Sequence, residues 1–132
     1  MGEGGRDMSV AIGDIVETNG ELYVVAGFFK QPNGPRMNKV ARLVRKNSNG
    51  TTTSFTIAPE GVDLIESPVF EPGARVTVDG LPGAVVETIP DEGIVNVLLD
   101  ARTKPLKGGD NLQIDPSISR QFLWRLVLEN KL

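Results

Sequence analysis

The chain contains neither cysteine nor histidine among its 132 residues. Without cysteine it can form neither a disulfide framework nor a zinc ribbon, so apolar packing and association must stabilise it. The lack of both residue types also removes the commonest general base, the commonest metal ligand and the thiolate nucleophile. We therefore predict that the protein is not an enzyme and that it has no catalytic residues, no metal site, no cofactor and no small-molecule substrate.

Long apolar runs are also missing. The longest, such as GIVNVLLDA, fall far short of the roughly twenty residues that a membrane span needs, and no apolar signal-peptide segment follows the N-terminus. We expect an intracellular protein, of the cytoplasm or of a virion, that is not secreted through a signal peptide and has no membrane partner. The Gly-rich start MGEGGRD, residues 1–7, is predicted to be a flexible arm unless another surface orders it.

The acidic residues form no recognisable catalytic or metal-binding pattern. Several of them lie next to glycine or proline, in turn contexts where aspartate is favoured because its side chain binds nearby backbone N–H groups. The segment KGGDNLQIDPS offers oxygen ligands for calcium, but it lacks the spacing and the final glutamate of an EF-hand loop. We interpret the following residues as turn residues: Asp14, Asp79, Asp91, Glu92, Asp110 and Asp115.

An internal repeat is the clearest positive feature. The sequence GDIVETNG at residues 13–20 returns at residues 73–80 as GARVTVDG, with glycine at both ends and valine at the fourth position of each copy. The repeat favours two small domains over one. Because a unit of roughly sixty residues buries only about 60% of the surface that its unfolded chain exposes, each half is expected to depend on the other or on a partner.

Short segments rich in β-branched residues, separated by glycine and proline, predict a mostly β protein. A proline, Pro59 or Pro116, interrupts each half before its last strand and predicts a 3₁₀ turn there. The expected strands of the first half are DIVET, ELYVVAGFF, KVARLVRK, TSFTIA and VDLIE. Those of the second half are RVTVD, GAVVETI, GIVNVLLD, NLQID and WRLVLE.

Five short strands, a proline-marked break before the fifth and a glycine early in the first hairpin resemble the small SH3-like barrels, which include KOW and Tudor domains. The passage PGARVTVDGLPGAVVETI is the closest to the KOW pattern of glycines and alternating valines. The resemblance implies an all-β fold of two tandem five-stranded SH3-like barrels. They would occupy residues 8–67 and 68–132, with Ser67 and Pro68 at the start of a short, stiff linker.

The alternation of apolar residues predicts the core of each half. In the first half the core residues should be Val16, Val25, Leu43, Phe55 and Ile57. In the second half they should be Val76, Val86, Val95, Val97, Leu99, Leu112, Ile114 and Leu126.

The segment FFKQPNGPRMNK, residues 28–39, is predicted to be a long loop between the second and third strands, because it holds two prolines and an Asn-Gly turn signal. Long loops on a small rigid domain often carry recognition. Because adjacent strand residues point to opposite faces, one of its two phenylalanines should be buried and the other exposed. The predicted protein-interface residues are Phe28, Phe29, Pro32, Pro35 and Met37.

Positive charge is concentrated in the first half. No acidic residue lies between Glu21 and Glu60, whereas six basic residues do. Basic residues interleaved with aromatic ones could neutralise phosphates and stack bases, and they could equally form a solvated strand face that discourages edge-to-edge pairing. The candidate nucleic-acid-binding residues are Lys30, Arg36, Lys39, Arg42, Arg45 and Lys46.

These observations lead to two functional hypotheses. The first is a non-enzymatic protein–protein interaction and assembly module, for example a small structural component of a virion such as a capsid decoration or head–tail joining protein, which binds a protein partner or itself. The second is a KOW-like nucleic-acid-binding adaptor that uses the basic residues of the first barrel. A net charge of −3 favours the first hypothesis, since dedicated nucleic-acid binders are usually basic.

Overall fold

The computed structural model describes residues 10–132, so the predicted arm at residues 1–7 lies outside the described part of the chain. Residues 10–132 are predominantly β, as predicted, and contain eleven strands, two 3₁₀ turns and one α-helix. The chain divides into two compact units. The first extends to Val69 and includes Lys131–Leu132, and the second is Phe70–Asn130.

The first unit contains five strands: β1 (Ile15–Thr18), β2 (Glu21–Asn33), β3 (Arg36–Lys46), β4 (Thr52–Ile57) and β5 (Asp63–Glu66). They form one antiparallel sheet in the order β4-β3-β2-β1-β5, with β4 and β5 at its edges. The sheet is therefore open, and the expected closed barrel is not confirmed. A 3₁₀ turn at Pro59–Gly61 separates β4 from β5, as the sequence predicted.

The second unit contains six strands and a helix: β6 (Arg75–Val78), β7 (Leu81–Ile89), β8 (Ile94–Leu99), β9 (Arg102–Pro105), β10 (Asn111–Ile114), β11 (Ser117–Phe122) and α1 (Leu123–Lys131). Four of the strands form an open sheet in the order β11-β8-β7-β6, and β9 and β10 form a separate hairpin. The 3₁₀ turn of this unit lies at Pro90–Glu92. At Pro116 the chain breaks between two strands and forms no 3₁₀ turn, which corrects that prediction.

The sequence repeat corresponds to a repeated hairpin, β1-β2 in one unit and β6-β7 in the other. Each hairpin turns through two residues with positive φ, Asn19-Gly20 and Asp79-Gly80, which is the pattern of a type I′ turn. The longer strand of each hairpin also shows a register shift in its pairing with the next strand, after Val25 where β2 pairs with β3 and after Val85 where β7 pairs with β8. The repeated motif is therefore a hairpin whose longer strand carries a bulge at a fixed position, which bends that strand.

A glycine anchors the start of each hairpin. Gly13 has a φ of 94° and donates its backbone N–H to the carbonyl oxygen of Val25 at 2.8 Å, and Gly73 has a φ of 91° and donates to that of Val85 at 2.7 Å. A side chain would strain both positions, because L-residues avoid this backbone conformation. In the first copy the Asp14 carboxylate accepts the N–H of Ala11 at 2.8 Å, which confirms Asp14 as a turn residue.

The C-terminal segment WRLVLE was expected to be a strand and instead belongs to α1. Leu123, Leu126 and Val127 are buried at helical spacing, and the segment is rich in good helix formers and contains neither glycine nor proline. Its nine residues make fewer than three turns, so the periodicity is too short to dominate the strand signal of its apolar residues.

Side chains from the end of α1 form hydrogen bonds with the backbone of β6 and of the turn that follows it. The Asn130 side chain accepts the N–H of Thr77 at 2.9 Å and donates to the carbonyl oxygen of Thr77 at 3.0 Å. The Glu129 carboxylate accepts the N–H groups of Asp79 at 2.8 Å and Gly80 at 3.0 Å. In the first unit, β5 supplies the corresponding bonds to β1 as a strand.

Most of the predicted core is buried, but two positions are wrong. Val86 is 44% exposed because the register shift places Val85 inside instead, and Leu112 is 46% exposed on the separate β9-β10 hairpin. Phe55, Ile57 and Ile114 are half-buried. The confirmed core residues are Val16, Val25, Leu43, Val76, Val95, Val97, Leu99 and Leu126.

We expect Asn130→Ala to lower the free energy of unfolding by about 1–3 kcal/mol, because it leaves the partly buried N–H and carbonyl of Thr77 unpaired. Equilibrium urea denaturation measures the change. Gln113→Ala, at an exposed position of β10, is the control and should cost less than about 0.5 kcal/mol. An equal loss in the two variants would contradict this role of Asn130.

Candidate functional site

The segment predicted to be a long loop is the tip of a long hairpin. Strand β2 continues to Asn33 and β3 begins at Arg36, with Asn33 opposite Arg36 in the register. Gly34 has a φ of 64°, and Pro35 has the negative φ fixed by its ring. This combination fits a two-residue type II′ turn, so the two strands meet without a flexible connector.

The hairpin extends beyond its neighbours. Strand β1 pairs only with residues 21–24 of β2, and β4 pairs only with residues 41–46 of β3. Among the described residues, positions 29–33 and 36–40 therefore pair only with each other. We call residues 29–40 the hairpin arm.

The register divides the predicted interface between the two faces of the arm. Directly opposed residues of an antiparallel pair share a face, and successive residues alternate. The first face, here the groove face, carries Phe28, Lys30, Pro32, Met37 and Lys39. The second, here the Phe29 face, carries Phe29, Gln31, Asn33, Arg36, Asn38 and Val40, and Pro35 lies in the turn.

The two phenylalanines have different environments, as predicted. Phe28 is partly buried and packs against the core cluster of the first unit. Phe29 is 46% exposed. Met37 is 58% exposed, so each face of the arm presents one large apolar side chain to solvent.

A groove with a volume of about 760 Å³ lies beside the hairpin arm, and both faces contribute to its lining: Phe28, Pro32 and Lys39 from the groove face and Gln31, Asn33, Asn38 and Val40 from the Phe29 face. Its apolar lining includes Val10, Phe28 and Pro32, and the residues Ala58 and Pro59 after β4 form part of its opposite wall. Two charged residues, Lys39 and Glu60, line it as well. The groove thus combines apolar residues with one charge of each sign. The amide residues Gln31, Asn33 and Asn38 of the arm also line it.

Lys39 is held over the ring of Phe28, with its Nζ 4.5 Å from the ring centroid. This cation–π contact fixes the ammonium group at the groove without neutralising it. Lys30 lies directly opposite Lys39 in the register, and both side chains are exposed. Like charges in directly opposed positions are destabilising, so this pair favours an anionic neighbour.

The six predicted basic residues do not form one surface. Lys30 and Lys39 lie on the groove face, whereas Arg36, Arg42 and Lys46 lie on the side of β3 that continues the Phe29 face. Arg45 lies 3.4 Å from the carboxylate of Glu21 and its guanidinium is 6.0 Å from the ring of Tyr23. Arg45 is therefore engaged within the sheet, and the others form two separate positive sites.

The sequence analysis did not identify the groove residues Val10, Ala58 and Glu60. Nothing in the sequence placed Val10 beside the second strand. Pro59 did predict the turn that brings Ala58 and Glu60 to this position, but the wall formed by the hairpin arm depends on the extension of β3 beyond β4.

Across residues 10–132, no group of three or more His, Cys, Asp or Glu residues is arranged to hold a metal ion. No helix in this part of the chain has the length and apolar character needed to cross a membrane. Comparison of the chain with protein-family models, with curated proteins and with solved structures finds no match in any of the three.

Because the two phenylalanines have different environments, their substitution by alanine should affect the free energy of unfolding to different extents. Phe28→Ala should lower the free energy of unfolding by about 1–3 kcal/mol, because it removes a partly buried ring from the core cluster. Phe29→Ala is the matched control and should change it by less than about 0.5 kcal/mol. Chemical denaturation of both variants tests this, and a larger loss for Phe29→Ala would show that the register is wrong.

Proposed function

We propose that this protein is a non-enzymatic interaction module that works within a larger assembly and binds through the hairpin arm. The observation that carries the proposal is the extension of β2 and β3 beyond the rest of the sheet, with Phe29 46% and Met37 58% exposed. A small virion component, such as a capsid decoration or head–tail joining protein, is one assembly that such a module would suit.

An SH3-like fold for the first unit is part of this proposal. Two observations support it: the strand order β4-β3-β2-β1-β5 and the 3₁₀ turn between the fourth and fifth strands. The second unit repeats the first hairpin but has α1 where the resemblance implies a fifth strand. Such small β scaffolds position projecting loops and hairpins for recognition.

The arm is well suited to protein binding because it is preorganised. Its two-residue turn and its ladder of five cross-strand pairs, from Phe29–Val40 to Asn33–Arg36, fix the backbone before a partner arrives. Ordering a flexible loop on binding would reduce the affinity, so a preformed hairpin binds more tightly for the same contacts. Exposed aromatic and methionine side chains are enriched among interface anchors.

The proposal predicts that Phe29→Ser abolishes self-association, because it removes an exposed apolar anchor without disturbing the core. Sedimentation velocity over a range of protein concentrations measures the association. Leu112→Ser is the matched control, since Leu112 is also 46% exposed but lies in the second unit. Deletion of residues 1–7 together with Phe29→Ser should leave a folded monomer.

Two results would contradict the assembly proposal. One is a parent chain that neither self-associates at any concentration nor binds another protein. The other is a Phe29→Ser variant that associates as strongly as the parent, since the contact surface would then lie elsewhere.

A second candidate function, nucleic-acid binding, is favoured by one specific observation. The exposed ring of Phe29 lies on the same side of the hairpin as Arg36 and Arg42, and Arg42 is diagonal to Phe29 in the register. An exposed aromatic ring beside cations is the arrangement that stacks bases and neutralises phosphates in single-stranded nucleic acid.

For this candidate we expect Arg36→Gln, Arg42→Gln and Lys46→Gln together to flatten the salt dependence of oligonucleotide binding. Each lost phosphate contact should lower the log–log slope by about 0.7 for a single strand. Fluorescence anisotropy with labelled single-stranded DNA and RNA measures the slope. Lys30→Gln with Lys39→Gln is the control from the groove face. No binding by the parent protein at low salt would eliminate this function.

A further inference from the structure

The two edges of the hairpin arm differ in their capacity to pair with another strand. Strand β4 leaves the ladder at Ile57, because the chain turns into the 3₁₀ segment at Pro59–Gly61. Strand β3 continues past this point to Arg36. Within residues 10–132, no strand pairs with residues 36–40 of β3 on the side opposite β2. We call this side of residues 36–40 the open edge.

The register shows which backbone groups face the open edge. In a two-residue hairpin the residues that flank the turn, here Asn33 and Arg36, exchange hydrogen bonds with each other. The backbone groups of successive residues alternate in direction, so those of Met37 and Lys39 point away from β2. Ala41, the next residue of this set, pairs with Ile57. Met37 and Lys39 thus extend the β3-β4 ladder by two residues whose outward N–H and carbonyl groups pair with no strand within residues 10–132.

The edge of β2 on the other side of the arm lacks one backbone donor. Pro32 is opposite Met37, so its backbone nitrogen also points outward, where a proline has no N–H to donate. This position explains how a proline fits inside a long strand without breaking the hairpin. Proline on an exposed edge disfavours the addition of another strand, so of the two edges of the arm the β3 edge is the more suited to pairing.

Two of the three charged residues beside the open edge, Lys30, Lys39 and Glu60, are positive. Lys39 lies over Phe28 at the groove, and Lys30 lies directly opposite Lys39. The segment between Glu21 and Glu60 contains no acidic residue that could neutralise them. Glu60 lines the groove on the wall formed by the turn after β4. With the ammonium groups of Lys30 and Lys39 against the single carboxylate of Glu60, the surface that a strand paired with Met37 and Lys39 would pass keeps a net positive charge.

We propose that the open edge and its groove bind an extended acidic segment of a partner protein, which adds a strand to the sheet where β4 ends. Main-chain hydrogen bonds to Met37 and Lys39 supply affinity, and carboxylates facing Lys30 and Lys39 supply specificity. Alternate side chains of the added strand face the groove floor around Phe28 and Pro32. This is the β-augmentation mode of peptide recognition. The inference rests on the proposed interaction function and identifies the class of its partner.

The test uses the full chain and a fluorescein-labelled eight-residue peptide of alternating glutamate and valine. A peptide of alternating lysine and valine controls for charge.

Met37→Pro removes the N–H that faces the open edge but no bond to β2, whereas Met37→Ala removes only the side chain. We expect Met37→Pro to weaken binding about tenfold or more and Met37→Ala to leave it within about threefold, since one lost buried hydrogen bond costs about 1–3 kcal/mol. Circular dichroism and thermal melts of the two variants verify that both remain folded.

Charge and amide exchange give two further measurements. Lys30→Gln with Lys39→Gln should weaken binding of the glutamate peptide and reduce its salt dependence. Amide hydrogen exchange should show new protection at Met37 and Lys39 when the glutamate peptide is bound, with no new protection at Asn38, whose N–H already faces β2.

Three results would overturn the proposal. The first is a glutamate peptide that fails to bind or binds no better than the lysine peptide. The second is equal binding by Met37→Pro and Met37→Ala. The third is protection of Met37 and Lys39 in the free chain that disappears on deletion of residues 1–9, because the chain itself would then occupy the open edge.

The proposed interaction function is tested separately by Phe29→Ser, which leaves the open edge intact. Loss of assembly in Phe29→Ser together with equal peptide binding by Met37→Pro and Met37→Ala would support that function and reject this inference.

Discussion

Every strand edge in this protein leaves backbone N–H and carbonyl groups that need partners, and the two units satisfy this requirement differently. Both begin with the same bulged hairpin, whose first strand needs a neighbour on its outer side. In the first unit β5 pairs with β1. In the second, the side chains of Glu129 and Asn130 bind the backbone of residues 77–80. A helix can thus replace a strand because its side chains supply the same donors and acceptors.

The hairpin arm follows from the same requirement. Strands β2 and β3 are longer than their outer neighbours, so their ends pair only with each other among residues 10–132. Pro32 removes one donor from the free edge of β2, while the turn at Pro59 ends β4 and, among residues 10–132, leaves residues 36–40 of β3 unpaired on their outer side. The two prolines therefore make the two edges of the arm different. The projecting arm, its exposed anchors and the open edge together support an interaction function.

The separation of charge on the arm relates the two candidate functions to different faces. Arg36, Arg42 and Lys46 share the side of the exposed Phe29 ring, whereas Lys30 and Lys39 lie on the other face, where Lys39 lines the groove. Substitutions on one face leave the other intact, so nucleic-acid binding and acidic-peptide binding can be tested independently in one folded protein.

The sequence by itself determined the repeated hairpin, because its requirements are local. The glycines at positions 20 and 80 adopt the positive φ of the turn, those at positions 13 and 73 adopt the positive φ at its start, and buried valines lie along its strands. It also determined the 3₁₀ turn at Pro59 and the opposite environments of Phe28 and Phe29. Only the tertiary structure decided that WRLVLE is helical, because its apolar residues become buried at helical spacing only in the folded unit. The register shift that exposes Val86, the two-residue turn within FFKQPNGPRMNK and the division of the basic residues between two faces likewise depend on which strands pair. Residues as distant as Val10, Lys39 and Glu60 line one groove only because strand pairing joins the segments that carry them, and no local pattern encodes that pairing.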